Sequence, residues 1–138
     1  MPALGTVNTA TIISSTSNFT RLTAQTAAVA SVATFTVGAS DASFLVSANV
    51  LVTTSTVHNF TVTCTYTDEG NTSRTITMPF IALAGTVGTT IVNTAGAVPY
   101  EGVALQIRAK AATSITLATT GTFTTVTYNI EGFIQQIT

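Results

Sequence analysis

Charge is the scarcest property of this sequence. Four lysines and arginines and five aspartates and glutamates make up 7% of 138 residues, where a soluble domain ordinarily carries about 25%. The net charge of −1 leaves no basic surplus to neutralise phosphates, so no nucleic-acid partner is expected. Tryptophan is absent, and there is one cysteine, Cys64, and one histidine, His58. A single cysteine excludes an intramolecular disulfide, and with one histidine it cannot build a Cys/His metal cluster; no metal or cofactor is expected. Long apolar runs are missing too. The most apolar stretch, residues 27–52, is interrupted by Ser31, Thr34, Thr36, Ser40, Asp41, Ser43, Ser47 and Asn49. That is alternation rather than the roughly 20 apolar residues of a membrane span. The opening residues, Met1-Pro2-Ala3-Leu4-Gly5, have neither the positive nor the apolar region of a signal peptide.

Threonine fills the space that charge leaves: it occurs 32 times. At 138 residues the chain is the size of one domain and buries enough surface to fold without staples. Soluble monomers stay apart through mixed surface charge and lysine-guarded strand edges. Here the only lysine is Lys110. Much of the surface is therefore expected to be covered by further copies of the chain or by a larger assembly.

Residues 1–20 hold no charge and few apolar positions, namely Val7, Ile12, Ile13 and Phe19. They read as an extended N-terminal arm. From residue 21 to 138 a period of two marks half-buried strands. Ala33, Phe35 and Val37 share a face in 31–37, and Phe44, Val46, Ala48, Val50 and Val52 share one in 43–53. In 59–67, Phe60, Val62, Cys64 and Tyr66 alternate with four threonines, whose branched side chains suit an exposed strand face. Asp68-Glu69-Gly70-Asn71 reads as a hairpin turn into a strand bearing Ile76, Met78 and Phe80. Residues 93–100 read as a loop. Val103, Leu105, Ile107 and Ala109 alternate in 102–110, and Ile115 and Leu117 follow. Thr120-Gly121 reads as a turn, and a change of apolar parity after Ile130 predicts a β-bulge at Gly132. No segment has the i, i+3, i+4, i+7 stripe of a helix. Seven to nine strands at this spacing predict an all-β antiparallel sandwich or barrel.

No constellation points to catalysis, and no enzyme activity is expected. His58 lies in TSTVHN, which reads as a surface turn. Asp68 and Glu69 are the only adjacent carboxylates, and they occupy a tight turn, where acidic residues ordinarily sit. They are too few for a dedicated Ca²⁺ site. Cys64 is in phase with the apolar face of its strand and reads as a buried small hydrophobe. The last strand is apolar on both faces, with Tyr128 and Ile130 on one and Phe133 and Ile137 on the other, so either the bulge re-aims it or a neighbouring subunit covers it.

Three stretches carry a resemblance: SFLVSANVLVTT, FTVTCTYTDEGNTSRTITMPF, and EGVALQIRAKAATSITLATTGTFTTVTYNIEGFIQQI. They look like small virion proteins of tailed bacteriophages and, more distantly, the jelly-roll heads of the tumour-necrosis-factor and complement type. The resemblance implies an eight-stranded jelly roll that forms homotrimers on a virion. On that basis Tyr128, Ile130, Phe133 and Ile137 are expected at a trimer interface. Val7, Ile12 and Ile13 of the arm, with Arg108 and Lys110, are expected to contact the major capsid protein or another virion protein. The expected role is a capsid decoration (cement) protein. The alternative is a trimeric receptor-binding knob or tail-fibre tip, for which Tyr100 is the candidate exposed aromatic.

Overall fold

The computed structural model describes residues 17–81, 87–92 and 98–138. Those residues form ten strands: β1 (Ser17–Gln25), β2 (Ala33–Thr36), β3 (Ala42–Thr67), β4 (Ser73–Thr77), β5 (Phe80–Ile81), β6 (Val87–Gly88), β7 (Ile91–Val92), β8 (Val98–Gly102), β9 (Leu105–Ala109) and β10 (Ser114–Gln136). All pairings are antiparallel. The all-β antiparallel sandwich expected from the sequence is present, in a jelly-roll-like form. The strand count exceeds eight because short strands line both sides of two very long ones.

The expected turns at TSTVHN and at Thr120-Gly121 are not turns. β3 continues through the first for 26 residues, and β10 through the second for 23. The two run side by side from Thr116↔Thr65 to Gln136↔Phe44. Fully extended, 26 residues would span about 86 Å. Instead both ends of β3 meet one residue: Ala42 pairs with Ala109, and Asp68, just past β3, bridges to the same Ala109. The paired long strands are thus folded over on themselves. Their first layer, residues 42–52 of β3 and 128–136 of β10, takes in β1, β8 and β9. Their second layer, residues 59–67 and 114–122, takes in β2, β4 and β7.

The fold-over needs irregular backbone, and both long strands supply it: β10 has the extra residue between Thr122 and Thr125, and β3 has it between Ser55 and Val57 and between Val52 and Thr54. Register shifts fall between Thr122 and Thr125, between Thr125 and Val126, and between Thr127 and Tyr128. Gly121 sits at their edge with φ of 140°, and a β-carbon there would lie 2.3 Å from the Asn59 carbonyl oxygen and 2.6 Å from Phe60 Cα. The bulge expected at Gly132 is therefore elsewhere. Glu131, Gly132 and Phe133 pair in unbroken register with Asn49, Ala48 and Ser47. Apolar parity does not switch either, because Ile134 continues the buried series of Val126, Tyr128 and Ile130. Gly132 occupies that series because the other layer comes close: a β-carbon would sit 3.0 Å from Val32 Cγ1 and 3.1 Å from Ala33 Cβ.

Between the layers lie the alternating residues that the sequence assigns inward. Phe44, Val46, Ala48, Val50 and Val52 are buried, as are Phe60, Val62 and Cys64. Phe35 meets Phe44 edge-on at 5.1 Å, and Phe60 meets Tyr128 at 4.9 Å. One buried polar node ties the layers to the β1–β2 connection. The Tyr128 hydroxyl donates to the Ala27 carbonyl (2.7 Å) and lies 3.0 Å from Thr119 Oγ1, which accepts from the Val29 N–H (2.8 Å).

Burial pushes the Cys64 thiol up to about 12. Because the thiolate is the reactive form, a thiol reagent is expected to label Cys64 only after denaturation. Rapid labelling of the native protein would refute the register of β3, since a one-residue slip reverses its faces.

His58 corrects the sequence reading most sharply. It is fully buried within β3 rather than exposed in a turn, with its ring 5.7 Å from that of Phe60. Burial lowers its pKa from the ordinary 6.5. The unfolded chain then takes up a proton near 6.5 that the folded chain resists, so stability falls as pH drops through that value. Urea midpoints measured on either side of pH 6.5 are expected to show this loss, and the step should vanish in His58→Gln.

Candidate functional site

The outward face of the first layer, at β1 and the end of β10, carries the apolar surface expected to meet neighbours. Strand alternation sends Phe19 and Phe133 outward, and the register places them opposite each other and next to Ser47. Phe19 is 57% exposed and Phe133 half-buried. Ile137 is also half-buried, and its N–H donates to the Ser43 carbonyl at 2.8 Å. Tyr128 and Ile130, expected at the same interface, point the other way. Both are wholly buried in the chain's own core, because they share parity with Val126 and Ile134. That correction leaves Phe133 and Ile137 on the outer face, joined by Phe19.

β1 is an edge strand. It pairs with β10 from Ser17↔Gln135 to Gln25↔Tyr128, and no described strand pairs with its other side. It contains neither lysine nor proline, but its edge is interrupted by Arg21 and by a register shift between Leu22 and Gln25, the kinds of feature that limit further pairing. Ser17 to Thr20, assigned to the arm by sequence, are part of this strand; the Asn18 side-chain amide donates to the Thr34 carbonyl. Val7, Ile12 and Ile13 lie outside the described residues.

Arg108 and Lys110 are placed differently from each other. Arg108 is exposed, and its Nε donates to Glu69 Oε2 at 2.6 Å, joining β9 to the turn after β3. Lys110 is half-buried, and its backbone N–H donates to the Thr67 carbonyl. The turn itself forms as the sequence predicts. Asn71 adopts φ of 67°, its N–H donates to the Asp68 carbonyl, and the Thr72 N–H donates to Asp68 Oδ1 at 2.9 Å. That N–H and the Arg74 guanidinium, 2.6 Å from Asp68 Oδ2, hold the Asp68 carboxyl below its ordinary value. Both carboxylates of the turn are thus engaged by arginines. Further exposed apolar side chains are Val57, Ile81, Val87 and Val92, three of them on the short strands β5, β6 and β7.

Of residues 93–100, read as a loop, 93–97 lie outside the described residues and 98–100 open β8, in which Tyr100 pairs with Val50 and Pro99 with Leu51. Tyr100 is half-buried, with its ring edge-on to Phe80 at 6.4 Å. The signal for this strand was faint because Pro99 and a five-residue length hide its alternation.

No family model and no curated protein matches the chain. Two solved structures overlap with it. The SPBc2 prophage-derived protein YomS is 14% identical over 87% of this chain and 95% of that one, with a TM-score of 0.36. The CBM22-1–GH10 modules of Clostridium thermocellum xylanase 10B, complexed with xylohexaose, are 12% identical over 87% of this chain and 26% of that one, with a TM-score of 0.35. Overlaps this loose assign neither structure's properties to the present chain.

Proposed function

We propose that the protein is a non-enzymatic structural component of a bacteriophage virion, a decoration protein that sits as homotrimers on the capsid and stabilises the head. The observation that carries this reading is β1: an edge strand whose other side pairs with no described strand, with Phe19 exposed, on a chain with nine charged residues. Such an edge offers main-chain hydrogen bonds to a neighbour's strand, and the Phe19–Phe133 row beside it offers apolar contact. The sequence resemblance to small virion proteins of tailed phages supports the same reading. Its mechanism is mechanical. Many weak contacts to the major capsid protein, repeated by symmetry, resist pressure from within.

The test is stoichiometry in purified particles of the phage that encodes the chain. Hundreds of copies per particle, in trimers by native mass spectrometry, are expected. A handful of copies would favour a receptor-binding tip, and absence from particles would refute a virion role. Deleting residues 1–16, which leaves β1 whole, is expected to preserve the fold and reduce particle occupancy. Full occupancy by the truncated chain would mean that residues 1–16 contribute nothing to attachment and that the β1 edge carries it.

A further inference from the structure

The nine charged residues are not evenly used. Asp68 and Glu69 are paired with Arg74 and Arg108, and Asp41 accepts from the Ala111 N–H. Arg21, Lys110, Glu101 and Glu131 enter no ion pair among the described residues, and three of them, all but Lys110, line one groove of about 470 Å³ on the outward side of the first layer. That volume lies in the range of small-molecule sites. The register explains the convergence. Arg21 on β1 lies opposite Glu131 on β10, which lies opposite Asn49 on β3. In the next row, Asn129 lies opposite Leu51, which lies opposite Pro99.

The two asparagines are already oriented. Asn49 Oδ1 accepts the Gly102 N–H and Asn129 Oδ1 accepts the Ala24 N–H. What each has left to offer is its NH₂ group. The groove thus interleaves three donors (Arg21, Asn49 and Asn129) with two acceptor carboxylates, Glu101 and Glu131. The apolar Leu51 and Pro99 line the groove with them; Tyr100 lines it too, but it pairs in register with buried Val50 and its ring packs on the core side against Phe80.

Two carboxylates and one guanidinium give the groove a charge of −1, which offers an anion no net attraction. No group of three metal-ligating side chains occurs among the described residues. Hydroxyl groups both donate and accept, so a polyhydroxylated ligand satisfies both halves of the array at once. We infer that this groove binds a neutral oligosaccharide. The inference does not depend on the virion reading, since a sugar site suits a surface-displayed protein of any kind.

The full-length protein should be titrated with maltohexaose, cellohexaose, xylohexaose and chitohexaose while backbone amide resonances are followed. At least one sugar is expected to shift Asn49, Tyr100 and Asn129. Loss of a hydrogen bond to a charged group should weaken that binding about tenfold or more in Arg21→Ala and in Glu131→Gln. Both positions lie on the outer face, and circular dichroism should confirm that both variants fold. Arg74→Ala, on β4 and outside the groove lining, should bind normally. Failure of all four sugars at millimolar concentration would overturn the assignment. So would binding that both groove variants leave unchanged, or a response to hexalysine with none to the sugars.

Discussion

Tyr128→Ala is expected to be among the most damaging substitutions in the chain, lowering the free energy of unfolding by about 3–5 kcal/mol. The ring is fully buried, stacks on Phe123 at 5.6 Å and packs on Phe60 at 4.9 Å, so its removal opens a cavity between the layers. Whole-domain stability is usually about 5–15 kcal/mol, so the variant should sit near its unfolding threshold. Tyr128→Phe separates packing from polarity. It keeps the ring and strands the Ala27 carbonyl and the Thr119 hydroxyl without their shared partner. Thr119 keeps the Val29 N–H and Ala27 is exposed, so the loss is that of ordinary hydrogen bonds, about 0.5–1.5 kcal/mol. Urea denaturation of both variants checks the order; a Tyr128→Phe as damaging as Tyr128→Ala would mean that the hydroxyl node, and not the ring, holds the layers.

The second large effect is expected at Gly121. Its φ of 140° lies where side chains are strained, and its missing β-carbon leaves room for the Asn59 carbonyl and Phe60. Gly121→Val adds strain of about 1–3 kcal/mol and overpacking of similar size. The contacts are with backbone, which has little freedom to yield. Loss of soluble expression, or a thermal midpoint many degrees lower, is the expected result. Gly38→Val serves as the comparison, because nothing lies within 4 Å of a β-carbon there. A Gly121→Val as stable as the parent would refute the sharp bend at this point of β10.

These two residues also mark what was legible in the sequence. The inward faces of β2, β3 and β9 were, because a period of two shows which residues share a side even when the strand's ends are unknown; that of β10 was not, since Tyr128 and Ile130 were expected at an interface. The continuity of β3 and β10 was not. TSTVHN and Thr120-Gly121 have the composition of turns, and composition does not distinguish a chain that reverses from a strand that bends while keeping its partner. His58 was misplaced for that reason: polar neighbours suggested solvent, whereas the bend carries it inward. Phe133 suggested a change of parity at Gly132 because a glycine in the buried series interrupts the pattern, although Ile134 restores it. The groove around Arg21 and Glu131 was hidden for a different reason. Its residues are 110 positions apart in sequence, and only the β1–β10 register brings them together.

The two shared strands also set the order in which the protein can be made. Phe44 finds its partner in Gln136 and Cys64 in Leu117, so both layers wait for the same late segment. A chain emerging from the ribosome can form the local Asp68–Asn71 hairpin early, but neither layer can close until β10 has followed. Pairing over such separations makes folding slow, on the order of milliseconds to seconds. During that interval β3 stands as a 26-residue strand without its main partner. Another copy of β10, from a neighbouring nascent chain, fits it equally well. Exchange of β10 between copies is therefore the characteristic error this architecture invites, and crowded synthesis is the condition under which it should first be seen.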